Sequence, residues 1–415
     1  MTETMSPPVR MSETRTLLIC ALLAAVGPMS MSLYTPAMPQ IAQDFATGEI
    51  TIRLSVSIYF AGFAAAQLIC GPLSDGFGRR PVLVWFTGIY LLAGLAALMA
   101  PNVAVLVGAR FLQGVGAAAG IAISRAIVRD LYEGQRAARM LAMISTVLAI
   151  GPAAAPFIGG VLIGWLSWHA VFVLMLAMGL TTLLATVFAL RETVPPTGHV
   201  PVGQLFSAYR TLLGSPYFVS VSLVVAGTQG SIYTLATILS FILINRVGLS
   251  PEQFGLAMLM QTGSFIVGSF LVRHLLGRSA GRTLMPVGLV LCGSACLALI
   301  VLCLSYPPSV WTVMGPVAVF SFGIAFTLPT VTAASLTPFP HIAGAASAML
   351  GFLQMGAGLV GGLIASTFAD PVVAMIVVIP GMTLVGALSW CVWRRLPVPV
   401  AAQRTTVAPD LVLPS

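Results

Sequence analysis

Few side chains in this sequence could do chemistry, and they fall in three places. Asp75, Arg79 and Arg80 stand in Gly71-Pro-Leu-Ser-Asp75-Gly-Phe-Gly78-Arg79-Arg80-Pro81; Arg110 and Gln113 stand in Arg110-Phe-Leu-Gln113-Gly114-Val-Gly116; Asp130 closes Arg125-Ala-Ile-Val-Arg129-Asp130. A carboxylate beside guanidinium groups can make and break ion pairs. A membrane enzyme would need more, such as HExxH, paired aspartates in an intramembrane Gly-Asp setting or an acid-rich metal motif, and none occurs. The six cysteines (Cys20, Cys70, Cys292, Cys296, Cys303, Cys391) lie in apolar runs without His or acid at ligand spacing. Cys292 and Cys296 are a helical turn apart, but a metal site needs two further donors, so all six read as packing residues. No metal, no cofactor and no enzymatic activity are expected.

The elements that must position these residues follow from composition. Apolar residues make up 58% of the chain and charged ones only 7%, against about a quarter charged in soluble proteins. This excludes a soluble enzyme, a disordered tail, a disulfide scaffold and a nucleic-acid binder, and places the chain in a bilayer. A spanning helix takes roughly 17 to 25 apolar residues. Twelve runs qualify, predicted at 16–34, 55–73, 81–99, 103–124, 140–164, 171–190, 218–244, 254–276, 284–304, 311–334, 343–368 and 372–393. The first is no signal peptide, because it exceeds the usual core of about 7 to 15 residues and leads into Pro36 and Pro39 instead of a small-residue cleavage site.

Orientation follows from the basic residues, all 19 of which are Arg. Positively charged loops stay in the cytoplasm. An inside N-terminus keeps Arg10, Arg15, Arg79, Arg80, Arg125, Arg129, Arg136, Arg139, Arg191, Arg210, Arg278, Arg282, Arg394, Arg395 and Arg404 inside, against only Arg53 and Arg246 in outer loops. Arg273 is near enough to the inner end to snorkel out, which leaves Arg110 alone in the deep interior. The net charge of +8 is then largely an orientation signal. The expected organisation is a cytoplasmic N-terminal tail (1–15), a six-helix bundle (16–190), a central cytoplasmic loop with Pro195, Pro196, Gly198 and Pro201 (191–217), a second six-helix bundle (218–393) and a cytoplasmic C-terminal tail (394–415).

The halves echo each other. The fifth run ends in Pro156-Phe-Ile-Gly159-Gly160-Val-Leu-Ile, and its counterpart six runs on ends in Gly358-Leu-Val-Gly361-Gly362-Leu-Ile. Two parallel six-helix repeats with a substrate path between them make the major facilitator architecture. The residues agree. Gly71 to Arg80 resembles the loop signature G-x-L-x-D-x-x-G-R-R of the major facilitator superfamily, and Arg110 to Gly116 resembles its R-x-x-Q-G-x-G. Gly151-Pro152-Ala-Ala-Ala-Pro156-Phe-Ile-Gly159-Gly160 is similar to the fifth-span pattern of its antiporter-type drug exporters. Tyr34-Thr-Pro36-Ala-Met-Pro39, Ser57 to Gln67 and Arg125 to Tyr132 resemble the Bcr/CflA group of bacterial exporters. In the second half, Gly268 to Arg273 with Gly277-Arg278 is a degenerate version of the loop signature without its acid.

The resemblance implies a gate. Gly71 would let a neighbouring helix approach, Gly78 would permit a tight turn, Asp75 would sit against the N-terminus of the eleventh helix, and Arg79 would pair with Asp130. It also implies a cavity lined by spans one, four, seven and ten and their neighbours, with Met29, Ser32, Tyr59, Arg110, Gln113, Gln229, Tyr233, Phe322, Phe326 and Gln354 as candidate wall residues. The function implied is export of small amphipathic compounds across the bacterial inner membrane by alternating access, as a proton antiporter and a monomer in contact with lipid. An importer or uncoupled facilitator is the alternative. One departure keeps it open: the group commonly carries an Asp where this chain has Ser32, and no carboxylate falls in the interior of any run.

Overall fold

The computed structural model describes residues 11–198, 202–276 and 281–399; Arg10, Gly277, Arg278 and Arg404 lie outside the described residues. Among those described, twelve helices are long and apolar enough to cross a membrane: Glu13–Asp44, Glu49–Phe77, Arg79–Leu98, Val103–Leu131, Gly134–Trp165, Trp168–Ala189, Pro216–Arg246, Pro251–Leu275, Leu284–Ser305, Val310–Leu336, Pro340–Ser366 and Pro371–Trp393. They are referred to below as spans one to twelve.

Most spans are longer than their apolar runs, because a helix continues through polar residues once it leaves hydrocarbon. Span two starts at Glu49 instead of Ser55, span four runs on to Leu131 and span five begins at Gly134. The arginine argument therefore needs correcting: Arg53 and Arg246, assigned to outer loops, and Arg125, Arg129, Arg136 and Arg139 on the inner side are helical residues, not loop residues. The signature loop shrinks to Gly78, whose φ of 95° suits glycine. The central segment is not all loop either. Val202–Leu213 forms a helix, and Tyr209 on it donates its hydroxyl to the carbonyl of Leu68 at 2.6 Å. Burial pushes that phenol up to about 12, so it keeps its proton to donate.

Helix starts are capped by the side chains expected to satisfy orphan backbone N–H groups. Asn102 Oδ1 accepts from Val105 N at 3.0 Å, Asp370 Oδ1 accepts from Val372 N at 2.9 Å, and Ser309 with Thr312 forms a capping box.

Packing repeats with a period of six spans. Within the first half, span one packs on five, two on four, and three on four; within the second, seven packs on eleven, eight on ten, and nine on ten. The halves meet along two seams, two against eleven and five against eight, which exchange under the same shift. The glycine pairs noted in the sequence make this concrete. A Cβ on Gly159 would strike Leu33 and Pro36 of its own half, while one on Gly160 would strike the backbone of Pro251 in the other. Likewise Gly361 abuts Thr234 of its own half and Gly362 abuts Ser57 across the seam. In each half the first glycine serves the bundle and the second serves the interface. The apolar cores respect the division: one large cluster is built almost wholly from spans one to six, and another from the second half.

Candidate functional site

Between the halves lies a cavity of about 1300 Å³. Its wall brings together Ser32 and Tyr59 from the first half with Gln229, Tyr233 and Gln354 from the second, five of the side chains singled out in the sequence. Pro152 and Pro156 of span five also face it. Their missing N–H groups and bulky rings shape the wall where span five passes span one, with Gly151 set against Met29.

Five candidates are corrected. Met29, Arg110, Gln113, Phe322 and Phe326 are absent from the cavity wall, and Met29 packs against Gly151 of span five instead. Arg110 is fully buried inside the first half. Its Nη1 donates to Gln113 Oε1 at 2.5 Å, and its guanidinium sits 4.3 Å from the Tyr34 ring centre and 4.4 Å from that of Tyr59. Tyr34 exchanges a hydrogen bond with Ser55 at 2.8 Å, and Tyr59 donates to the Gly27 carbonyl at 2.9 Å. The charge is thus sheathed by aromatic faces, whose quadrupoles attract it, and Tyr59 stands between it and the cavity. Gln113 donates on to Met175 Sδ at 3.6 Å. Phe322 and Phe326 face away because one turn of span ten divides its faces: Ser321, Ile324 and Leu328 line the cavity, while Phe326 packs with Val272 and Leu284 of the neighbouring spans.

The cavity ends in a polar mouth. Asp75, Arg79, Arg125, Arg129, Asp130, Arg273 and His341 line it. Arg79 is the hub and is itself only 7% exposed. Its Nη1 reaches Asp75 and also donates to Ser74 Oγ at 2.7 Å, while Nε donates to Asp130 Oδ2 at 3.0 Å. Thr193 adds a hydrogen bond to the same Asp130 oxygen at 3.0 Å. A guanidinium so deeply placed is tolerable because two carboxylates compensate it. Glu192, which the sequence reading passed over, accepts from the backbone N–H of Arg79 at 2.8 Å and of Arg80 at 3.1 Å. It places negative charge at the positive end of span three, and a Cβ on Gly78 would collide with it. Arg80 points the other way, donating to the Val187 carbonyl at 2.6 Å.

Every one of these mouth contacts stays within the first half and the start of the central segment that follows it, and none reaches the second bundle. Asp75 has a side chain 62% exposed, is paired with Arg79, and makes no hydrogen bond to the start of span eleven among the described residues. A Cβ on Gly71 would meet nothing within 4 Å. The close approach expected at Gly71 and the docking expected of Asp75 are therefore absent from this conformation, because the open mouth separates the halves there.

The opposite end is shut. Arg53, fully buried, donates Nη1 to the carbonyl of Ala365, in the last turn of span eleven, at 3.3 Å and Nη2 to the carbonyl of Phe368, just past that span, at 3.0 Å. Asn245 Nδ2 donates to Glu49 Oε1 at 2.8 Å across the same gap. Arg53, which the sequence assigns to an outer loop, is as fully buried as Arg110, but near the start of span two at the closed end and not in the middle of a span. Only knowledge of how far span two continues past its apolar run could have signalled this.

A cavity between two six-helix repeats, closed at one end and open at the other, is matched by the sequence as a whole: residues 20–362 fit the family model described as Major Facilitator Superfamily. The chain belongs to the major facilitator superfamily. As a superfamily member it is an integral membrane transporter and not an enzyme. It is 30% identical over 361 residues to Multidrug resistance protein D of Escherichia coli (strain K12), covering 85% of this chain and 89% of that one. It is 29% identical over 341 residues to the uncharacterized MFS-type transporter YdgK of Bacillus subtilis (strain 168), covering 81% and 85%. Multidrug resistance protein MdtL of Klebsiella pneumoniae (strain 342) is 29% identical over 342 residues, covering 82% and 86%. Among solved structures, a D-xylose-proton symporter superposes with a TM-score of 0.72 at 15% identity over 93% of this chain and 98% of its own. A bacterial homologue of the human lysosomal transporter Spinster, in an inward-facing and unoccupied conformation, superposes with a TM-score of 0.70 at 18% identity over 92% and 96%.

Proposed function

We propose that this transporter exports small amphipathic compounds across the bacterial inner membrane by alternating access, with both termini in the cytoplasm and the cavity opening to the cytoplasm in the conformation described above. The observation that carries this reading is the asymmetry of the cavity: a mixed wall of aromatic rings and neutral amides, shut beyond Arg53 and continuous with an Arg-rich mouth. Aromatic and amide groups suit adaptable contact with largely apolar ligands carrying a few hydrogen-bonding groups. The mouth carries the side chains that the positive-inside rule assigns to the cytoplasm. Two of the relatives are multidrug resistance proteins by name, and the short stretches around Tyr34, Tyr59 and Arg129 support membership of the Bcr/CflA group.

On this reading the domain limits are 16–190 and 218–393 with cytoplasmic tails and centre, the protein works as a monomer, and Ser32, Tyr59, Gln229, Tyr233 and Gln354 contact the substrate. Gly71, Asp75, Gly78, Arg79, Arg80 and Asp130 form the cytoplasmic gate. When the mouth closes, span eleven comes down on Gly71 and Asp75 turns from Arg79 to the start of that helix, where exposed N–H groups and the helix dipole welcome a carboxylate. Gly151, Pro152, Pro156, Gly159 and Gly160 shape the span-five seam on which the halves rock. Proton antiport would run through Asp75 and Asp130 at the mouth, since the Ser32 hydroxyl does not exchange a proton by ionising as a carboxylate would and Arg110 is sheathed.

A second reading, an importer or uncoupled facilitator, is favoured by Ser32 and by the lack of a carboxylate in the middle of any span. Cells with and without the gene, loaded with a panel of amphipathic compounds in the presence and absence of an uncoupler, separate the two. Export coupled to protons lowers accumulation and the uncoupler restores it. Raised uptake indifferent to the uncoupler establishes the second reading.

A further inference from the structure

The shut end of the molecule holds its charges in an arrangement that the transport cycle must undo. Arg53 is 0% exposed, and it reaches out of the first half to the carbonyls of Ala365, in the last turn of span eleven, and of Phe368, just past its end. The Ala365 carbonyl also accepts from the Phe368 N–H at 3.3 Å, and this end of the helix carries the negative end of its dipole. The two carbonyls hold the guanidinium without an ion pair to any carboxylate among the described residues. Glu49 lies four residues earlier on the same helix and is likewise committed across the gap, to Asn245 Nδ2 at 2.8 Å. Two carboxylates, Glu49 and Asp370, are close enough to act electrostatically on Arg53, yet neither forms an ion pair with it among the described residues.

We propose that Arg53 and Glu49 form a partner-trading latch at the closed end. Both are tied to the second half in this conformation, and both pair with each other when that end opens. The spacing suits this, because Glu four residues before Arg on a helix is the favourable order for an ion pair. The trade also meets the main energetic obstacle to opening. A buried guanidinium stripped of its acceptors is strongly penalised, whereas one that passes from carbonyls to a neighbouring carboxylate while water enters is never left bare. Asn245 matters because it occupies Glu49 while the end is shut. The latch rests on the alternating-access reading of the preceding subsection, and it mirrors Asp75 and Arg79 where span two hands over to span three, again an acid four residues before an arginine.

The test reads opening directly. Ser57, fully buried one turn further in, lies against Gly362 on the closed seam. In the full-length protein carrying Ser57→Cys, in right-side-out membrane vesicles, the rate of labelling by a membrane-impermeant maleimide reports opening of that end; the parent chain without the substitution gives the background from native cysteines. Arg53→Gln, which keeps a polar side chain, should raise the labelling rate about tenfold, and Asn245→Ala should raise it by a smaller factor. Glu49→Gln should lower it below that of the Ser57→Cys parent, because the open state loses its ion pair while the closed state keeps the amide contact. Arg53→Lys, which retains charge but not the two-pronged donor, should fall between. A purely structural role would move Arg53→Gln and Glu49→Gln in the same direction, and that result overturns the latch. Labelling of Ser57→Cys that is unmoved by Arg53→Gln also overturns it, with alternating access intact. No labelling of Ser57→Cys at all, with any substrate and any variant, overturns alternating access and the latch together.

Discussion

The mouth, where span two hands over to span three, and the shut end, where span two begins, solve the same problem in opposite ways. At the mouth, Arg79 is surrounded by Asp75, Asp130 and Ser74, all from its own half. At the shut end, Arg53 has no ion-pair partner of its own and takes two backbone carbonyls from the other half. A third arginine, Arg110, lies between them and is held by rings instead of by acids. The difference teaches that the state of each end can be read from whose atoms compensate its charge. Where the halves are apart, an arginine is neutralised internally; where they are together, it is neutralised across the seam.

The largest expected effect comes from the mouth. Asp75 is exposed, and the buried Arg79 keeps Asp130 and Ser74 as partners when Asp75 is neutralised, so the loss of stability is small. Asp75→Asn should therefore leave the amount of membrane protein and its melting temperature nearly unchanged. Transport should fall at least about tenfold, a loss of roughly 1.4 kcal/mol or more in the closed-mouth state. Normal transport by the variant would mean that the mouth closes without this carboxylate, and the contrast between the ends would lose its meaning.

Next come the glycines, which should split by end. Gly71 has open space around it in this conformation, whereas Gly362 already touches Ser57. Gly71→Val should be accommodated here but obstruct closure of the mouth, holding the molecule in the present state. Gly362→Val should wedge the shut end and drive the molecule the other way. Accessibility of the mouth to a soluble thiol reagent, through Ala126→Cys on the cavity wall, should rise with the first and fall with the second. Equal effects would show that the ends are not coupled.

Smaller effects separate cavity from support. Tyr233→Leu and Gln354→Leu should change apparent substrate affinity by a few-fold, while Arg110→Met should lower the melting temperature and the transport rate with affinity unchanged, because Arg110 is kept from the cavity by Tyr59. Least of all, Ser32→Asp should steepen the response of transport to an imposed pH gradient, measured as the ratio of rates in its presence and absence. A parent with no gradient response at all would contradict proton antiport through the mouth acids and favour the uncoupled reading.

Much of this was legible in the residues. Hydropathy alone yields the twelve spans, and the Gly159-Gly160 and Gly361-Gly362 echo anticipates a pseudo-symmetry that extends to which neighbour each glycine touches. Arg79 with Asp130 could be expected from family resemblance, and the structure places their atoms 3.0 Å apart. What could not be read depends on where helices end and which way their faces turn. Arg53 looked like a loop arginine because apolar runs stop short of the true helix start. Phe326 looked like cavity wall because an aromatic residue on span ten gives no sign of which side of the helix it occupies. Glu192 was missed because a helix cap supplied from over a hundred residues away leaves no local pattern.

The central claim is that the two ends of the molecule open in opposition. Pulsed electron paramagnetic resonance on the full-length protein in lipid tests it most directly. One spin-label pair would be placed at the mouth, through Gln135→Cys and His274→Cys, and another at the shut end, through Ala46→Cys and Ala369→Cys, all at exposed positions. Without substrate the mouth pair should be far apart and the other pair close; on adding a transported compound the first distance should shorten as the second lengthens. Distances that change together, or a shut end that never opens while transport proceeds, would contradict the account.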